Sequence, residues 1–135
     1  MQKHINIKNN IEQLPLLAEQ IEKLGDEWQL DMLITTNLNL VLEEAISNII
    51  FYAYNDDKEH EIDIKAKKSE NVIIIVITDY GKPFDPTKKE TPDISLSAEE
   101  RQIGGLGIFL IQKIMNSVEY KREDKKNILT LTKLI

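Results

Sequence analysis

A chain of 135 residues, 41% hydrophobic and 30% charged, reads as one soluble globular domain long enough to bury a core. Its net charge of −6 argues against nucleic acid as a direct partner, and the absence of cysteine excludes disulfides, thiolate nucleophiles and zinc–thiolate sites. No apolar run approaches the ~20 residues that span a bilayer, and MQKHINIKNN has no signal-peptide core, so the expectation is a cytoplasmic protein with no membrane partner.

In chain order, Gln2 to Lys8 alternates as a short strand, and Asn9 or Asn10 is placed to cap a helix over Ile11 to Leu24. Pro15 falls in that helix's first turn, and Gly25 is expected to close it. A long helix follows, from Glu27 or Trp28 to Tyr54, with Trp28 a packing residue near its start. Leu38, Val41, Leu42, Ala45, Ile46 and Ile49 recur along it at helical spacing. The period then changes to two. Glu61 to Lys67 alternates, and Val72 to Thr78 is so continuously β-branched that a central strand covered on both faces is expected. Lys82 to Ile103 has no apolar period and reads as a long loop. Glycines 104, 105 and 107 open a helix over Ile108 to Met115. Val118 to Arg122 and Ile128 to Leu134 form a closing hairpin around Glu123 to Asn127. This order fits a two-layer α/β (α+β) sandwich, with a mixed, mainly antiparallel sheet covered by helices.

Three short segments carry chemistry. Glu44 and Asn48 stand one turn apart on one helix face, beside the apolar stripe; alone, they are equally well a polar helix edge. Asp79, ending a buried strand, could accept a hydrogen bond from an exocyclic amine while Gly81 lets the backbone turn tightly; alone, D-x-G is better read as a strand-ending turn. Gly104-Gly105-Leu106-Gly107 at a helix start suits phosphate, and alone is equally a hinge. Together they have one economical meaning. Asp79 reads the base, the glycine turn cradles phosphates, Asn48 offers an oxygen to Mg²⁺, and Glu44 orients or deprotonates an attacking hydroxyl. The segment from Thr87 to Ile103 would then be a lid.

E-A-I-S-N (Glu44 to Asn48), D-Y-G-K-P-F-D-P (Asp79 to Pro86) and G-G-L-G-I-F-L-I (Gly104 to Ile111) resemble the N box and the two glycine boxes of the GHKL ATPase superfamily. In length and wording the chain is most similar to the bacterial anti-sigma factor serine/threonine kinases. The resemblance implies a single ATP-binding domain over residues 1–135 with the Bergerat fold, ATP and Mg²⁺ as ligands, and a cytoplasmic switch. Such a switch holds a sigma factor or phosphorylates an STAS-domain anti-sigma antagonist on Ser or Thr, and is a homodimer. It implies Glu44 as the catalytic residue and Asn48 as the metal ligand. Nucleotide contacts come from Asn48, Asp79, Gly81, Pro83, Gly104, Gly105, Leu106 and Gly107. Where the family has a Gly-Thr pair before the last strand this chain has Lys126-Asn127, so Asn127 takes the threonine's place beside the base. Where the family often has an arginine directly before the second glycine box, Gln102 and Ile103 stand here, with Arg101 one step out. Two other readings accompany the kinase. One is a non-catalytic ATP-binding interaction module. The other is the ATPase part of a histidine kinase or mismatch-repair-like machine, disfavoured because His4 and His60 lie in strand-like surface contexts rather than on a phospho-acceptor helix.

Overall fold

A computed structural model describes residues 1–88 and 105–135, in which one five-stranded sheet carries three α-helices on one of its faces. β1 (Gln2–Lys8) turns Ile5 and Ile7 into the core, while His4 and Asn6 face outward and both meet Asp63. The Asn10 side chain then accepts the Glu12 N–H at 2.9 Å and starts a short 3₁₀ turn, Ile11–Gln13, which runs into α1 (Leu14–Glu27). Pro15 lies in the first turn of α1, as expected, and Leu17, Ile21 and Leu24 are buried at its three- and four-residue steps.

Gly25 does not close α1. It lies inside the last turn, where an added β-carbon would come within 2.4 Å of Thr35 Oγ1, so it is a close-packing residue against the next helix. The left-handed closing position belongs to Gln29, with φ 52°. Leu30 N–H reaches back to Gly25 O at 2.9 Å and Gln29 N–H to Asp26 O at 3.2 Å, the paired bonds of a Schellman motif. Trp28 is buried at the end of α1, not at the start of the long helix. That helix, α2 (Met32–Asn48), therefore begins later than its apolar pattern suggests, and its last stretch, Ile49–Ala53, widens into a π turn.

β2 (Glu61–Lys68), β3 (Val72–Asp79), β4 (Ser117–Glu123) and β5 (Lys126–Leu134) complete the sheet in the order β1-β2-β3-β5-β4. Every described pairing is antiparallel, where a mixed sheet is expected. β3 and β4 do point the same way across α3 (Gly105–Ile114), but β5 inserts between them, so their parallel relation never becomes a hydrogen-bonded pair. β3 also departs from expectation in its burial. Ile73, Ile75 and Ile77 are buried under the helices, whereas Val72, Ile74, Val76 and Thr78 on the other face are only half-buried. A continuous β-branched run follows from the strand's central place and does not by itself require a second covering layer. β4 and β5 meet in a two-residue turn, Asp124 and Lys125, both with positive φ (50° and 63°) as a type I′ hairpin requires. Among the described residues no helix is long and apolar enough to cross a membrane.

Candidate functional site

Three polar side chains are buried among the described residues: Asn48, Asp79 and Asn127, at 4%, 3% and 4% exposure. They come from the ends of α2 and β3 and the start of β5, and all three line one cleft of about 350 Å³. Ile49, Phe84, Ile111, Tyr120 and Leu129 supply much of its apolar wall. A larger hollow, about 980 Å³, lies on the open face of the sheet near Lys65, Lys67, Ile74 and Val76, and holds none of the three.

Asp79 ends β3 in line with Ile73, Ile75 and Ile77, so strand alternation alone carries its carboxylate under the helices. Its Oδ1 accepts the Gly81 N–H and the Asn127 Nδ2, each at 2.9 Å. Both donors fall on one oxygen, and Oδ2 accepts from no described residue. Burial pushes the carboxyl above its ordinary value of 3.8, while the Asn127 amide, the Gly81 N–H and the Arg122 charge pull it back. Asn127 is the residue directly across the β3–β5 ladder.

Gly81 makes its close approach within the protein. An added β-carbon would stand 2.3 Å from Ala53 O, at the end of the π turn, and the next amide, Lys82 N–H, donates to that same oxygen at 2.8 Å. Tyr54 OH accepts the Tyr80 N–H at 2.9 Å beside it. The strand end that carries Asp79 is thus clasped to the helix end that carries Asn48.

Asn48 is the last residue of α2, and its Nδ2 has no hydrogen-bond partner among the described residues. A buried amide donor without a partner is uncommon enough to need a reason. A ligand with acceptor oxygens supplies one, and the other end of the same carboxamide can give an oxygen to a hard cation. Among the described residues no group of three or more His, Asp or Glu side chains gathers to hold a metal, so a cation here would rely on Asn48 and on the ligand's own oxygens. The residues therefore fit a metal carried in by a phosphate ligand.

Glu44 lies one turn before Asn48, half-buried, with Gly107 of α3 against it: a β-carbon at 107 would meet Glu44 Oε2 at 2.6 Å. Burial, and then the neighbouring Glu43 charge, raise its carboxyl above the ordinary 4.5. Pro83 is exposed and does not line the cleft; Phe84 and Pro86 do, because Asn127 Oδ1 accepts the Phe84 N–H at 3.3 Å and turns the loop inward there. Gly105 and Leu106 open α3. Gly104, with Arg101, Gln102, Ile103 and most of the expected lid, lies outside the described residues. Tyr120 and Arg122 escaped sequence reasoning. The signal available was the alternation of β4, which sends Val118, Tyr120 and Arg122 to the helix side.

A model of the histidine kinase-like ATPase domain matches residues 7–133. The chain belongs to that family. Its relatives include the serine/threonine-protein kinase BtrW of Bordetella bronchiseptica, 31% identical over 81% of this chain and 75% of BtrW. The serine-protein kinase RsbW of Listeria monocytogenes is 30% identical over 73% of this chain and 65% of its own length. RsbW of Oceanobacillus iheyensis is 35% identical over 64% and 58%. The chain thus matches less than two thirds of these two RsbW proteins. A crystal structure of RsbU and RsbW domains from Mycobacterium tuberculosis superposes with TM-score 0.71 at 14% identity, covering 99% of this chain and 32% of that one. The histidine kinase AdeS of Acinetobacter baumannii gives TM-score 0.54 over 96% of this chain and 67% of its own, also at 14% identity. The resemblance to the anti-sigma kinase branch of the GHKL superfamily, and the Bergerat fold it implies, are borne out at the level of family and fold.

Proposed function

We propose that this chain is an ATP-dependent serine/threonine kinase of the anti-sigma type, which phosphorylates an STAS-domain antagonist and also holds a sigma factor. One observation carries the reading: the three buried polar side chains of the described residues converge on one cleft, and one of them keeps an unpartnered donor there. Asp79 offers Oδ2 to the amine of adenine. The amides of Gly105 and Gly107 at the start of α3, with Gly104 and Leu106 beside them, face the phosphates. Asn48 holds Mg²⁺ by its carboxamide oxygen. Mg²⁺-ATP, when bound, supplies the phosphoryl group and neutralises its charge. Glu44 holds the incoming serine or threonine hydroxyl and takes its proton, a task its raised basicity suits. The same reading makes residues 1–135 one ATP-binding domain that acts in the cytoplasm as a homodimer. Labelled ATP and Mg²⁺ with a candidate STAS-domain protein provide the test. Label should pass to the partner. Tight ATP binding with no transfer to any such partner would leave a non-catalytic module, and no binding at all would overturn the nucleotide site.

A further inference from the structure

Asn127 lines the cleft, yet its carboxamide has nothing left to offer a ligand. Both Nδ2 protons are committed, one to Asp79 Oδ1 at 2.9 Å and one to Lys82 O at 2.8 Å. Its Oδ1 accepts from Phe84 N–H at 3.3 Å, from Arg122 Nη1 at 3.2 Å and from the Tyr120 hydroxyl. A carboxamide has two donors and an oxygen with two lone pairs, so this one is saturated. We propose that Asn127 is a positioning residue, which aims the Asp79 carboxylate and fixes the Tyr80–Phe84 turn for recognition of an amino-bearing base without touching the base.

The proposal rests on the nucleotide reading above. Three points of the turn are pinned by β4 and β5: Gly81 O by Arg122 Nη1 at 2.7 Å, and Lys82 O and Phe84 N–H by Asn127. The same amide that holds the turn draws Asp79 Oδ1 across the β3–β5 ladder and leaves Oδ2 for a ligand. The titratable groups facing Asp79 are Arg122 on β4 and Tyr54 beyond the π turn. Asn127 and Arg122 both favour the ionised, acceptor-only carboxylate, which accepts from an amine and has no proton for a keto oxygen. Asn127 therefore sets base preference through Asp79.

Binding of ATP and of ITP, whose base carries a keto oxygen in place of the amine, reads this out. Asn127→Ala should weaken ATP about tenfold and leave ITP within about twofold. On an Asp79→Asn background the same change should cost little more, since the two residues act as one. Equal losses for both nucleotides, or an undiminished loss on that background, would overturn the proposal in favour of direct contact or general loosening. If Asn127→Ala does not fold, the isosteric Asn127→Asp carries the test. It removes the donor to Asp79, sets a second carboxylate beside it, and should shift preference toward ITP; an unchanged ATP-to-ITP ratio would overturn the proposal. Carbon-13 titration of Asp79 without nucleotide should move upward in either variant, and an unmoved titration also overturns it. A wild type that binds neither nucleotide overturns the nucleotide reading and this proposal together, whereas a wild type that prefers ATP equally in all variants overturns this one alone.

Discussion

Gly107 leaves the space that Glu44 occupies: a β-carbon there would stand 2.6 Å from Oε2, but 3.5 Å and 3.6 Å from Cδ and Cβ. Only the tip of a flexible side chain is in the way. Gly107→Ala should therefore fold and melt at or above the wild-type temperature, because alanine is the better helix former by about 1 kcal/mol. The carboxylate, however, must move. Displacement of a reacting group by ~1 Å can cost about a hundredfold, so phosphoryl transfer should fall by at least tenfold in this variant. Wild-type transfer by well-folded Gly107→Ala would show that the Glu44 carboxylate position is immaterial.

Asn48 and Glu44 should separate at the binding step. Asn48→Ala removes the carboxamide whose Nδ2 is unpartnered, so nucleotide affinity should drop and lose its dependence on Mg²⁺. Glu44→Gln should bind ATP normally while transfer falls about 10²–10⁴-fold. Wild-type transfer should decline on acidification as Glu44 takes up its proton, at a pH above the ordinary 4.5 because burial raises the group. Titrations with and without Mg²⁺, beside a pH profile of transfer, decide both assignments.

Asp79→Asn should weaken ATP binding roughly tenfold to a hundredfold, the worth of a buried hydrogen bond to a charged group. Its effect on stability has the opposite sign. The folded-state carboxyl is raised above 3.8, so its contribution is fully present below the unfolded value and is lost as pH rises through the folded one. At neutral pH the wild type thus holds a costly buried charge. The variant can keep one oxygen accepting from both Gly81 and Asn127 without that charge. It should melt higher than wild type at pH 7, with the gap closing as pH falls through the raised value toward 3.8. Melting curves across that range test this, and a gap that widens toward acid would refute it.

Gly81→Ala meets backbone instead of a flexible tip. The new carbon would lie 2.3 Å from Ala53 O and 2.7 Å from Ala53 C, and neither can turn aside. A loss of about 1–3 kcal/mol in urea unfolding is expected, as for overpacking in a core. Unaltered stability would mean that the clasp between strand end and helix end yields readily.

The strands and the site segments were legible because each rests on local pattern: alternation for β1 and β2, a polar pair one turn apart for Glu44 and Asn48, glycine beside a strand-ending aspartate. Failures came where tertiary contact overrode the local signal. Gly25 looks like a helix stop, yet Thr35, ten residues on, accounts for its missing side chain, and Gln29 takes the left-handed position. Asn127 reads as a turn residue because the following run begins at Ile128, but pairing with Asp79 draws it into β5. The half-open outer face of β3 depends on which layers exist elsewhere, and no isoleucine run encodes that.

The π turn at Ile49–Ala53 holds one residue more than an α-helical turn would need. Deleting a single residue there would let α2 continue in regular register. Glu44 and Asn48 would stay where they are, while everything beyond would rotate by about 100°. Ala53 O would then leave Lys82 N–H and Tyr54 OH would leave Tyr80 N–H, although no side chain lining the far wall had changed. Length in this stretch is thus as much a part of the recognition code as the identity of its residues, and a one-residue gap in an otherwise matching sequence would mark a chain with a differently clasped cleft.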